Sequence, residues 1–256
     1  MSRNSLGFLC AFVAITAFHS GTGGARAADV IAAAVADASR PEADRQHDAD
    51  RKPKETLEFA GIKAGDKIAE LLPGGGYFTR ILSGVVGSTG HVYALVPAPA
   101  ANAPADMPDF AARVKAIAAE PKYSNVTVVV EPFSELKAPV PVDLVWTSQN
   151  YHDLHNFPGL DVGVFNQMVF ETLKPGGIYL ILDHEAESGS GTRDTATLHR
   201  IDVETVKKEV LAAGFVLVAS SELLHHAEDS HTVKVFDPSV RGRTDQFLLK
   251  FRKPKK

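Results

Sequence analysis

Cysteine is almost absent from this sequence: the 256 residues include only one, Cys10. A disulfide framework and a metal site built from several thiolates each need more than one cysteine, so both are excluded. The chain also has no Gly-x-Ser-x-Gly segment, the pattern that places the nucleophile of many serine hydrolases. The nearest approach to it, residues 189–191 (Gly-Ser-Gly), is interpreted as a flexible loop.

Neither sign of charge dominates, with 27 basic residues, 31 acidic residues and a net charge of −4. A chain with this balance lacks the excess of positive charge that is typical of nucleic-acid-binding proteins, and we predict no nucleic-acid partner. The apolar run from Leu6 to Phe18 covers about 13 residues, fewer than the roughly 20 that cross a bilayer. No stable membrane span is therefore predicted once the N-terminal segment is removed.

That N-terminal segment has the features of a secretory signal peptide. Arg3 precedes the apolar run, and residues 25–27 (Ala-Arg-Ala) form a small-x-small cleavage pattern. We predict a signal peptide over residues 1–27, cleavage after Ala27, and an exported protein, periplasmic or secreted. Cleavage removes Cys10 and with it any cysteine nucleophile. The alternative is that residues 1–27 are not a signal peptide and that the protein stays in the cytosol.

Residues 28–53 are predicted to form an N-terminal helical segment, and residues 54–256 one α/β domain. Strands are predicted at 67–71, 91–96, 126–130, 142–147, 178–182, 215–221 and 246–251, with helices at 77–86, 109–119, 164–173 and 203–213. Unbroken apolar strands that alternate with helices indicate a doubly wound, mostly parallel sheet covered on both faces. The charged run 43–52 is interpreted mainly as a solvated helix face, with a lid over the glycine turn as the alternative.

The glycine turn follows the first predicted strand, which ends in the acidic residue Glu70. Gly74, Gly75 and Gly76 come next, and a helix begins at Tyr77. Three glycines remove every Cβ from the turn, so a ligand can approach the backbone closely. The helix that follows points its N-terminal amides at the same place. In α/β folds a nucleotide-like cofactor binds at this position, the carboxyl end of the first strand.

Two further motifs stand at matching positions: residues 173–177 (Leu-Lys-Pro-Gly-Gly) before strand five and residues 212–215 (Ala-Ala-Gly-Phe) before strand six. With the glycine turn, they make residues 54–252 resemble the class I S-adenosylmethionine-dependent methyltransferases. The glycine turn and residues 241–251 resemble, more narrowly, a group of exported predicted methyltransferases. The resemblance implies a Rossmann-like sheet of seven strands with the last one antiparallel, S-adenosylmethionine as the cofactor, and an unidentified small-molecule substrate. The oligomeric state is not indicated.

The resemblance also implies a set of cofactor-binding residues, contributed by the turns after strands one to four. They are Glu70, Gly74, Gly75, Gly76 and Tyr77 after strand one, Val96 at the end of strand two, Glu131, Pro132 and Phe133 after strand three, and Asn150 after strand four. Two positions depart from the family pattern. Leu72 replaces the first glycine of the usual triplet, and Val96 replaces the acid that binds the ribose hydroxyls. Hydrogen bonds to a charged group are each worth about 1.5–3 kcal/mol, so this loss predicts roughly tenfold to several hundredfold weaker binding.

Candidate catalytic residues follow strands four and five: Tyr151, His152, Asp153 and His184. His152 is the leading candidate base, because histidine titrates near neutral pH; a polar loop histidine is the alternative. His199 and Arg200 could reach the same site, while Asp202 is predicted to cap the next helix. No metal site is predicted, because the spacing of His152 and His155 fixes no third ligand.

Two functional hypotheses result. The first is an S-adenosylmethionine-dependent methyltransferase, favoured by Glu70, the glycines and the histidine cluster. The second is an exported Rossmann-like binding protein that has lost methyl transfer, favoured by Leu72 and Val96.

Overall fold

The structure, a computed structural model, describes residues 22–99, 103–104 and 106–255. Most of the predicted signal peptide, residues 1–21, lies outside the described residues. The helices are α1 (Thr22–Val35), α2 (Glu42–Arg45), α3 (Asp48–Arg51), α4 (Pro53–Ala60), α5 (Tyr77–Val86), α6 (Ala112–Ala118), α7 (Val162–Thr172) and α8 (Val203–Ala212). The strands are β1 (Lys67–Leu71), β2 (His91–Pro97), β3 (Val126–Glu131), β4 (Val142–Ser148), β5 (Leu173–His184), β6 (Val216–Ser221) and β7 (Gln246–Arg252).

All seven strands form one sheet in the order β3-β2-β1-β4-β5-β7-β6. β1 to β5 pair in parallel, whereas β7 runs antiparallel to both β5 and β6. The predicted fold class is thereby confirmed. β5 is longer than predicted, since Leu173 already pairs with Val142 before an irregularity in the register between Val142 and Leu144.

Alternation along each strand sends apolar side chains into two cores, one on each face of the sheet. Ile68 on β1 and Trp146 on β4 face the core beneath α1, α4, α5 and α6. Their neighbours along the strands, Ala69 on β1 and Val145 on β4, face the opposite core, beneath α7 and α8. Because β1 lies between β2 and β4, its carboxyl end stands at the centre of the sheet edge where a cofactor would bind.

The N-terminal helices pack on the first of these cores rather than apart from it. Ile31 of α1 and Leu57 of α4 are both buried there. Gly61 ends α4 in the left-handed conformation. α2 begins after Pro41 without a side-chain cap. Among the described residues, every helix is too short or too polar to cross a membrane.

Candidate cofactor and active site

The glycine turn after β1 leaves open space at one position and permits tight packing at another. Gly74 has φ +56°, and a Cβ built on it would meet no atom within 4 Å. Gly76 has φ +79°, and its Cβ would lie 2.1 Å from Cδ1 of Ile117 on α6. Gly76 is therefore required for helix packing, whereas Gly74 keeps a space free beside the turn.

That space belongs to a cavity of about 1300 Å³ along the carboxyl ends of β1 to β4. Five of the predicted cofactor-binding residues line it: Gly74, Gly75, Val96, Pro132 and Phe133. Glu131 and Gly76 do not line it, and the Glu131 side chain is exposed. Most of the remaining wall is apolar, with Phe110, Phe157, Val164 and Met168 among its residues. Cavities that hold drug-sized ligands measure about 300–1,000 Å³, so this one has room for a cofactor and a second molecule.

A second, smaller cavity of about 40 Å³ adjoins the first, and the two share Leu72 and Pro73 as wall residues. It is lined by the other three predicted residues, Glu70, Tyr77 and Asn150. The Glu70 carboxyl accepts a 2.6 Å hydrogen bond from the Thr79 hydroxyl. The Asn150 amide donates to the Leu72 carbonyl at 3.0 Å, which ties the turn after β4 to the turn after β1.

Arg51 of α3 also lines the smaller cavity, although no motif in the sequence distinguishes it from the other charged residues of the run 43–52. Its guanidinium lies 4.6 Å from the centre of the Tyr77 ring, and the Tyr77 hydroxyl donates to Asp48 at 2.6 Å. Asp48 is in turn held by a bidentate ion pair with the buried Arg40. For these residues the solvated-face interpretation is wrong, because Asp48 and Arg51 pack against Tyr77, directly after the glycine turn.

Glu70 gives the folded protein a pH-dependent stability. Burial raises the pKa of Glu70 from its ordinary 4.5 to about 8, against the opposing effect of the Thr79 hydrogen bond. Between these values the folded chain keeps a proton that the unfolded chain has released, so the free energy of unfolding falls as pH rises. Urea unfolding at pH 5 and pH 8 should show a loss of about 1–3 kcal/mol in the wild type that shrinks in Glu70→Gln. The exposed Glu55→Gln is the control; equal pH dependence in wild type and Glu70→Gln would contradict this assignment.

Of the candidate catalytic residues, Asp153 lines the large cavity, and His152 and His199 contact Asp153 without lining the cavity themselves. His152 Nδ1 donates to the fully buried Asp183 at 2.8 Å, and His152 Nε2 faces His199 Nδ1 at 3.3 Å. Burial alone would lower the pKa of His152, but the carboxylates of Asp183 and Asp153 raise it to about 10. At neutral pH this imidazole is therefore in its charged form, with both ring nitrogens protonated. The structure does not support His152 as the base in the free protein. Burial and the neighbouring His152 lower the pKa of His199.

Tyr151 and His184 are placed differently from their predicted roles. The Tyr151 ring is fully buried in the core beneath α7 and α8, where its hydroxyl contacts Glu209 at 2.9 Å and Asn166 at 2.7 Å. His184 Nδ1 contacts the Thr244 hydroxyl at 2.8 Å, and burial lowers the pKa of His184 to about 4. Neither side chain lines the cavities.

Two more predictions concerned the segment between β5 and α8. Asp202 caps α8, since its carboxylate accepts from the amide of Glu204. Arg200 does not reach the cavity, because its side chain is fully buried in an ion pair with Asp229. His199, in contrast, reaches the site through a left-handed backbone conformation, φ +56°. Leu72 and Gln149 also have positive φ, so strained non-glycine residues cluster around this edge of the sheet, as they do at functional sites.

Neither a protein-family model nor a curated protein matches the sequence. Solved structures do match. A SAM-dependent methyltransferase from Aquifex aeolicus superposes with a TM-score of 0.55 at 19% identity, covering 78% of this chain and 89% of that one. The glycopeptide N-methyltransferase MtfA complexed with S-adenosyl-L-methionine gives a TM-score of 0.51 at 16% identity, covering 78% and 86%. The [4+2]-cyclase SpnF gives 0.56 at 17% identity, covering 86% of each chain. The chain therefore has the class I SAM-dependent methyltransferase fold, and at these identities the likeness defines the fold rather than the reaction.

Proposed function

We propose that the protein is a SAM-dependent methyltransferase that acts on a small-molecule acceptor. The observation that supports this most directly is the open space at Gly74, where a side-chain-free turn at the carboxyl end of β1 borders the large cavity. In doubly wound folds this is the position at which a nucleotide-like cofactor contacts the backbone.

The two adjoining cavities suit the two ends of the cofactor. The adenosine half would lie in the large cavity against Pro132 and Phe133, and the methionine half would point toward the smaller one. Arg51 suits the methionine carboxylate: its guanidinium lies against the Tyr77 ring and makes no hydrogen bond within the described residues. Guanidinium and carboxylate groups form strong charge-assisted hydrogen bonds.

The large cavity, which Val96 lines, also contains polar groups that could replace the missing ribose acid. Asp109 and Ser134 both line the large cavity. The sequence gives no signal for Asp109, because it follows Val96 only after a long alanine- and proline-rich loop. The apolar remainder of the cavity favours an acceptor with a substantial apolar part.

Calorimetric titration of the purified protein with S-adenosylmethionine and with its demethylated product tests the proposal. We expect micromolar binding of both, and binding roughly tenfold to several hundredfold weaker in Arg51→Met, which loses a charge-assisted contact. The control is Arg45→Met, which removes an exposed arginine from the same charged run. Absence of binding at millimolar ligand would refute the methyltransferase and favour a binding protein for another ligand.

A further inference from the structure

Three side-chain atoms suited to metal coordination converge beside the large cavity, which one of the three residues, Asp153, lines. They are His152 Nε2, Asp153 Oδ1 and His199 Nδ1. His152 Nε2 lies 3.3 Å from each of the other two, which are 3.7 Å apart. The centre of a triangle with these sides lies about 2.0 Å from every corner, which is the distance that histidine nitrogen and aspartate oxygen keep from Zn²⁺.

The surroundings of His152 prepare its Nε2 to act as a ligand. The Asp183 carboxylate accepts from the ring Nδ1 at 2.8 Å and from the backbone amide of His152 at 2.7 Å. The ring is therefore fixed in orientation, and a neutral ring with its hydrogen on Nδ1 has its lone pair on Nε2. In metal sites a carboxylate commonly accepts the other ring N–H of a histidine ligand and so fixes the orientation of the ring.

The charges also favour a divalent cation. Asp183 and Asp153 place two carboxylates on either side of His152; the Asp183 side chain is fully buried, whereas the Asp153 side chain is 35% exposed. The adjacent basic residue, Arg200, does not neutralise them, because it pairs with Asp229. A divalent ion would displace the proton that His152 Nε2 carries at neutral pH and would balance these two carboxylates, and the histidine ligands, then neutral, add no charge of their own.

A second group of two histidines and an aspartate has the same residue types, but its possible ligand atoms do not converge on one point. His225 Nδ1 contacts one carboxylate oxygen of Asp245 at 3.0 Å, and His231 Nε2 contacts the other oxygen at 3.0 Å. The two rings therefore lie on opposite oxygens and their nitrogens do not meet. Within the part of the chain that the structure describes, only the group of His152, Asp153 and His199 brings three such atoms together.

We propose that His152, Asp153 and His199 bind one divalent first-row transition metal ion, whose open coordination position faces the large cavity. Two imidazoles and one carboxylate suit Zn²⁺, Fe²⁺, Co²⁺ or Ni²⁺. Three protein ligands with a free position are typical of a metal ion that binds substrate. Asp153 itself lines the cavity, so the free position would take an oxygen of the acceptor. This last step rests on the proposed methyltransferase function, whereas metal binding does not.

Titration of the metal-free purified protein with Co²⁺ and with Zn²⁺, in the absence of S-adenosylmethionine, tests the site. We expect one ion per chain, visible absorption bands from bound Co²⁺, and loss of those bands when Zn²⁺ displaces it. Substitution His199→Ala should weaken Zn²⁺ binding by at least about 100-fold, and Asp183→Asn by about 10–100-fold through its effect on His152. His225→Ala is the matched control and should bind Zn²⁺ like the wild type.

The outcomes separate this inference from the methyltransferase proposal. Binding of Zn²⁺ without binding of S-adenosylmethionine would support the metal site and refute the methyltransferase. Binding of S-adenosylmethionine without one strong Zn²⁺ site would overturn the metal site alone. Equal weakening in His199→Ala and His225→Ala would also overturn it, since both would then report general surface binding. Circular dichroism of each variant shows whether the fold is intact.

Discussion

Substitution of Gly74 by valine is expected to lower the affinity for S-adenosylmethionine by at least about 100-fold, equivalent to roughly 2.7 kcal/mol or more. Gly74 lines the large cavity, and a Cβ at this position meets no atom of the protein within 4 Å. A valine side chain would therefore enter the space that the cofactor needs. Calorimetric titration of the variant with S-adenosylmethionine measures the effect.

Backbone strain must be separated from blocked binding, because Gly74 has positive φ. Gly189 provides the control: its φ is +81°, its Cβ would also meet no atom within 4 Å, and it lines neither cavity. Both valine variants should lose about 1–3 kcal/mol of stability from the left-handed backbone. Only Gly74→Val should lose affinity. Similar loss of affinity in Gly189→Val would show that the effect is destabilisation rather than occupation of the cavity.

The sheet could be predicted from the sequence because its signals are local. Buried parallel strands are continuous apolar runs, and β1 and α5 have the predicted bounds, Lys67–Leu71 and Tyr77–Val86. The glycine turn between them was predictable for the same reason. The position of Glu70 at the end of β1 followed directly.

The role of the charged run could not be predicted in the same way. A run of arginines and aspartates has the same composition whether it faces water or folds back onto a cleft. What decides the outcome for Arg51 is its contact with Tyr77, a residue that the sequence places in another element. Asp48 is likewise fixed by the hydroxyl of Tyr77.

Side-chain direction limited the prediction of the active site. Tyr151 and His152 are neighbours, yet one ring enters the core and the other forms part of the polar cluster, because the chain turns sharply between β4 and the 3₁₀ turn His152–Asn156. His199 comes from a distant loop and needs a left-handed backbone to reach His152. No periodic pattern encodes such a contact, so the sequence could suggest that His199 reaches the site but could not identify it as a third potential metal ligand.

The loop that presents His199 depends on its neighbour Arg200, and Arg200→Met is expected to lower the free energy of unfolding by about 3–5 kcal/mol. Arg200 is fully buried, contacts both oxygens of Asp229 at 2.8 and 3.0 Å, and donates to the carbonyls of Glu185 and Val233. Methionine keeps most of the volume but leaves the Asp229 carboxylate buried without its cation. Urea unfolding of the variant measures the loss.

A second arginine in the same segment supplies the control. Arg193 also pairs with aspartate, but it is exposed, and Arg193→Met should leave the urea midpoint unchanged because exposed ion pairs contribute little. The double variant Arg200→Met, Asp229→Leu should recover part of the stability, since no unpaired charge then remains in the core. If the double variant is no more stable than Arg200→Met, the hydrogen bonds to Glu185 and Val233 hold the loop instead. In either case Arg200→Met should weaken Zn²⁺ binding, because the strained backbone of His199 loses the adjacent contact that fixes it.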